Sequence, residues 1–197
     1  MKKFLSLAVC LFTVSTLCAQ TQVIAHRGFH ATKNSRNNTI SSLMHAQDLG
    51  VYGSECDIYW TKDDNVIIAH ADSNCKINNL YPWENTVAEL RRGGVLSNGE
   101  ILPTLEEYIK VAALEGKCTK LILDIKNITA PSTVSADKRA QYCINACRRS
   151  IEIAQELGAE DWIEFICTGN DFDYNYCMWN NKYYFIDEII SSSAAES

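Results

Sequence analysis

Apolar residues fall along this chain in two rhythms. Short, nearly continuous runs too brief for helices alternate with stretches whose apolar positions recur three and four residues apart. That alternation predicts an α/β protein built on parallel strands. Val23 to His26 reads as a first strand, ended by Gly28. Thr39 is placed to cap a helix with Ile40, Leu43 and Met44 on one face, and Gly50 closes it. Val51 to Trp60 reads as a second strand, Thr61 to Asn65 as a polar turn, and Val66 to His70 as another extended run. Pro82, Gly93, Gly94 and Gly99 break residues 71 to 100 into an irregular surface excursion. Thr104 and Glu107 then form a capping box behind Pro103, and Leu105, Tyr108, Ile109 and Ala112 supply an apolar face that Gly116 ends. Leu121 to Lys126 is the next strand, Ala136 to Leu157 a long helix closed by Gly158, and Trp162 to Cys167 a further strand. Beyond Asn170 the rhythm is lost. Phe172, Tyr174 and Tyr176 alternate and Tyr183, Tyr184 and Phe185 cluster, as core aromatics or the lining of a pocket would, and residues 191–197 read as a frayed tail.

The first residues follow neither rhythm. Met1, Lys2 and Lys3 are followed by an apolar stretch from Phe4 to Cys18 and a small residue, Ala19. This is the layout of an export signal over residues 1–19, and it places the remaining chain in the periplasm or outside the cell. Leu17 is larger than a lipid-attachment site at Cys18 favours, so soluble export is expected over a lipid anchor. No later stretch reaches the ~20 apolar residues of a membrane span.

Composition narrows the function classes. The chain has 197 residues, 47% hydrophobic and 21% charged, with a net charge of −6, and it has no Lys/Arg-rich run. Disorder, collagen-like repeats and a broad nucleic-acid-binding face are therefore excluded. A cut after Ala19 removes two of nine cysteines and leaves an odd number, whose spacings outline no disulfide framework. Cys143 and Cys147, one turn apart on a helix, read as packing residues.

Candidate chemistry sits where strands break their apolar pattern. The first strand ends in His26 and Arg27, Glu55 and Asp57 share one face of the second, and Asp124 and Lys126 share one face of a later one. In α/β sheets and barrels, ligands bind at the carboxyl ends of the strands. Three carboxylates brought together repel one another unless a cation sits among them, and oxygen-only donors suit Mg²⁺ or Ca²⁺ rather than zinc. Each pair alone also has a plainer reading, with Glu55 facing a surface lysine and Asp124 bound to Lys126 for packing. His26 and His70 each end a short apolar run, where a pair of imidazoles could act as general base and general acid, or each could be an ordinary structural residue. His30 and His45 have weaker contexts.

Six segments in order carry a resemblance: AHRG at 25–28, NNT at 37–39, GSECD at 53–57, TKDDNVIIAH at 61–70, LPTLEEY at 102–108 and LILDIK at 121–126. This set resembles the glycerophosphodiester phosphodiesterases. The resemblance implies a TIM-type (β/α)₈ barrel that uses a divalent cation to hydrolyse glycerophosphodiesters, as small-molecule substrates, to glycerol 3-phosphate and an alcohol. It implies His26 and His70 as acid and base, Arg27 and Lys126 as phosphate-binding cations, and Glu55, Asp57 and Asp124 as metal ligands.

Three departures accompany it. Asp124 stands where the family has a Glu ligand, Ala71 separates His70 from Asp72, and the fourth-strand pattern is matched only loosely by Phe165 to Gly169. A complete barrel takes about 250 residues, and strands are legible here only near 23, 54, 66, 121 and 162, with one more near 183. The expected architecture over residues 20–190 is therefore an incomplete barrel lacking its C-terminal strands. The alternatives in function are a truncated, inactive remnant that binds phosphate or metal, and a related lipid phosphodiesterase.

Overall fold

A computed structural model describes residues 22–31, 35–114, 118–168, 178–179 and 182–183. The N-terminal segment, Gly116 and most of the aromatic tail, including Phe172, Tyr174, Tyr176, Tyr184 and Phe185, lie outside the described residues.

Strand β2 (Gly53–Trp60) organises the fold because it is buried along most of its length and has strand neighbours on both sides. On one side lies β1 (Ile24–Ala25) and on the other β4 (Lys120–Lys126), both parallel to it. Beyond β4 the sheet continues with β5 (Ile163–Thr168), also parallel, giving the order β1-β2-β4-β5. Strand β3 (Val66–Ile68) departs from the expected succession of barrel strands, because it turns back through Thr61–Asn65 and pairs antiparallel with the end of β2. The extended run at 66 is thus a hairpin arm outside the parallel series. A separate two-stranded antiparallel unit joins β6 (Met178–Trp179) to β7 (Lys182–Tyr183).

Helices occupy the crossovers, as parallel neighbours require. Helix α1 (Ile40–Asp48) lies between β1 and β2, α3 (Leu105–Ala112) between β3 and β4, and α4 (Ala136–Glu156) between β4 and β5. Thr39 and Thr104 cap α1 and α3 through reciprocal bonds with Ser42 and Glu107, each cap being worth about 1 kcal/mol. The excursion at 71–100 is less irregular than its glycines suggest. It contains a 3-10 turn at Pro82–Glu84 and a short helix, α2 (Val87–Arg91), with its own Thr86/Glu89 capping box.

The core runs between the sheet and these helices: Leu43, Leu105, Tyr108, Ile109, Leu121 and Leu123 are fully or almost fully buried. Cys143 and Cys147 of α4 belong to it as buried residues outside any disulfide. At the far end of β2, Trp60, Tyr142, Trp83 and Tyr81 form a continuous stack with centroid separations of 5.9, 5.3 and 5.0 Å. Among the described residues no helix is long and apolar enough to cross a membrane.

Candidate active site

Strand register assembles the site. In the β2–β4 pairing Asp57 stands directly opposite Asp124, and Glu55 lies two residues back on the same face of β2. Glu55, Asp57 and Asp124, all buried, each offer an oxygen, and these oxygens lie within 4.8 Å of one another. The parallel β2–β4 pairing, continuous from Gly53 to Ile58, sets that spacing.

Two cations answer the three acids. Lys126 Nζ lies 2.9 Å from Asp124 Oδ2 and 3.0 Å from Asp57 Oδ1. Burial works against its charge, but the bonds to Asp124 and Asp57 prevail and raise its pKa, so it stays an ammonium. Arg27 reaches the cluster twice. Its backbone N–H donates to Glu55 Oε2 at 2.7 Å and its Nε lies 3.1 Å from Asp57 Oδ2. Both contacts depend on the turn after β1, where Arg27 and Gly28 take left-handed backbone angles of +56° and +76°. Gly28 has no substitute here, since a Cβ would stand 2.4 Å from the Ser42 hydroxyl.

Charge does not balance evenly. Burial, with repulsion from Asp57 and Asp124, pushes Glu55 up to about 7 against the pull of the Arg27 N–H. Asp57 Oδ1 accepts no well-directed hydrogen bond although the Lys126 ammonium is close. Three buried carboxylates this close together, offering only oxygen donors, fit a hard divalent cation. Glu55, Asp57 and Asp124 are the residues that would hold it.

The histidines lie at the rim. His26 Nε2 is 3.9 Å from Glu55 Oε2, with its ring 72% exposed to solvent. His70, also exposed, lines a cavity of about 660 Å³ that it shares with Arg27 and Asn38. The structure therefore gathers Glu55, Asp57, Asp124, Arg27 and Lys126 into one network, sets His26 beside it, and places His70 on the adjoining cavity. Asn38, which lies in the NNT segment but has no role assigned from the sequence, is a further contributor. Its Nδ2 donates to Asp57 Oδ2 at 2.7 Å and its Oδ1 accepts the Asp57 N–H at 3.2 Å, clamping that residue from both ends. A left-handed φ of +59° turns it inward just before the α1 cap, and asparagine tolerates this conformation better than most residues.

Residues 26–159 match the Glycerophosphoryl diester phosphodiesterase family. The chain belongs to this family. It is 32% identical over 100 residues to a glycerophosphodiester phosphodiesterase of Caldanaerobacter subterraneus, covering 47% of this chain and 40% of that protein. To another from Bacillus altitudinis it is 29% identical over 99 residues, 46% of this chain and 40% of that one. The crystal structure of a Parabacteroides distasonis glycerophosphodiester phosphodiesterase superposes with a TM-score of 0.62 at 32% identity, over 76% of this chain and 57% of the other. A phosphodiesterase of Oleispira antarctica, crystallised with the product sn-glycerol-3-phosphate, shares the fold at 23% identity and a TM-score of 0.54, over 77% of this chain and 59% of that one. The architecture is the TIM-type barrel of this family, incomplete among the described residues. The chain spans about 40% of the length of the curated relatives it matches.

Proposed function

We propose that this chain hydrolyses glycerophosphodiesters to glycerol 3-phosphate and an alcohol with the aid of a divalent cation. The observation that carries the reading is the convergence of Glu55, Asp57 and Asp124 within 4.8 Å, flanked by Arg27 and Lys126, at the carboxyl ends of parallel strands. The shared family and the glycerophosphodiester phosphodiesterases at 29–32% identity support it.

When bound by the three carboxylates, the cation supplies Lewis-acid stabilisation to a phosphate oxygen. Arg27 and Lys126 hold the other anionic oxygens and answer the charge that accumulates in the transition state. One of His26 and His70 takes the proton from the attacking hydroxyl, belonging to water or to the neighbouring glycerol position of the substrate. The other delivers a proton to the departing oxygen as the old P–O bond breaks and the new one forms. His26, 3.9 Å from Glu55, stands beside the carboxylate set that would hold the cation.

Release of glycerol 3-phosphate from a panel of glycerophosphodiesters tests the proposal. EDTA should abolish turnover and added Mg²⁺ or Ca²⁺ should restore it. His26→Ala and His70→Ala should each lose at least about 100-fold in kcat. Full activity in either variant removes that histidine from the mechanism, and metal uptake with no turnover makes the chain a binding module instead.

The basic and then apolar sequence from Met1 to Ala19 supports export of the chain to the periplasm or beyond. N-terminal sequencing of the exported protein should begin at Gln20.

A further inference from the structure

The cavity beside the carboxylate cluster has walls that the hydrolytic scheme leaves without a task. Arg27, Asn38 and His70 tie it to the site, and it also carries Arg36, Lys76 and Asn79. Among the described residues no Phe, Tyr or Trp lines it, and Asp72 is the one carboxylate of that described lining. That acid is already engaged, since its Oδ1 accepts the backbone N–H groups of Asn74 at 2.8 Å and Lys76 at 2.9 Å. Neither Arg36 nor Lys76 forms an ion pair with a described carboxylate. Lys76 is nevertheless held in place, with its Nζ 4.9 Å from the centroid of the Tyr81 ring. Tyr81 is fixed in turn by the stack through Trp83 and Tyr142 to Trp60.

These walls discriminate between headgroups. A quaternary ammonium is recognised by aromatic faces, whereas the described lining of this cavity holds no Phe, Tyr or Trp and carries two cations that pair with no described carboxylate. Guanidinium, ammonium and amide donors instead suit hydroxyl and phosphate oxygens. Resting on the function proposed above, we propose that this cavity selects glycerophosphodiesters whose leaving alcohol is hydroxyl-rich and itself anionic over those with a quaternary ammonium. Arg36 and Lys76 are the specificity-determining residues, and Tyr81 is the positioning residue for Lys76.

The test compares kcat/KM of the full chain for bis(glycerophospho)glycerol, glycerophosphoglycerol and glycerophosphocholine, at low and high salt. The first should exceed the last roughly tenfold at low salt, with the neutral polyol between them, and the ratio should shrink as salt screens the cations. Arg36→Gln combined with Lys76→Gln should bring the ratio to within about threefold of one. Tyr81→Leu should lower the ratio through KM for the anionic substrate, while Tyr81→Phe preserves it. A wild-type ratio near one or in favour of choline overturns the proposal, as does a double variant that keeps its selectivity. An unchanged ratio in Tyr81→Leu removes that ring from the scheme. Should none of the three be hydrolysed, the proposed function fails, and selectivity is read by calorimetric binding of the intact diesters. The same order then supports the cavity assignment, and equal affinities overturn it.

Discussion

Glu55 is the residue whose environment contradicts its chemistry most openly, because it is sealed at 5% exposure beside two other acids. Its carboxyl in the metal-free fold titrates at about 7 instead of the ordinary 4.5. Between those values the folded chain keeps a proton that the unfolded chain has lost. Stability of the metal-free chain must therefore fall as pH rises through this window, by roughly 3 kcal/mol in all. Asp64 and Glu89, whose carboxyls are lowered, act in the opposite direction only at more acidic pH. Urea midpoints in EDTA at pH 5 and pH 8 check the expectation, and Glu55→Gln should flatten the difference. A wild-type midpoint that is level or rises over this range contradicts it. Arg27 and Asn38 show the same economy of position, since each touches the cluster through two of its own atoms and each does so from a left-handed backbone.

At the level of elements, the approach of β2 to β4 sets the spacing of the acids, and Gly53 permits it. A Cβ at that position would stand 2.7 Å from Ile122 Cγ1, against an opposed strand with nowhere to retreat. Gly53→Val should cost about 1–3 kcal/mol in thermal or urea unfolding, and Ile122→Ala in the same chain should return part of it. A neutral Gly53→Val would mean the two strands are less tightly paired than the geometry requires. Strands β2 and β4 were legible from sequence because buried parallel strands read as apolar runs, and the acids that interrupt them are the exceptions which expose the site. Other features were not legible for equally physical reasons. Three apolar residues at Val66–Ile68 carry no information about strand direction, so the antiparallel return of β3 was hidden. Helix α2 is five residues long, too short for periodicity, although Thr86 and Glu89 repeat the capping signal that marked α3. The grip of Asn38 on a residue 19 positions away depends on a backbone angle that no local pattern reports.

For the molecule as a whole, the acids tie together the elements that make the sheet, with Glu55 and Asp57 from β2, Asp124 from β4 and Arg27 from the end of β1. An ion held there stabilises every contact between those strands at once. Mg²⁺ or Ca²⁺ at a hundred times its dissociation constant should raise unfolding free energy by about 2.7 kcal/mol, visible as a shift in Tm. Asp124→Asn should remove most of that shift, and a wild-type Tm indifferent to both ions would leave the cluster without its assigned ligand. Lys126 adds a competitor to this linkage. Its ammonium lies between Asp57 and Asp124 as an internal counter-ion, so the strands can close on a charge they already carry. An ion entering between Asp57 and Asp124 would meet a position that ammonium already holds, and its arrival would release the lysine toward the phosphate.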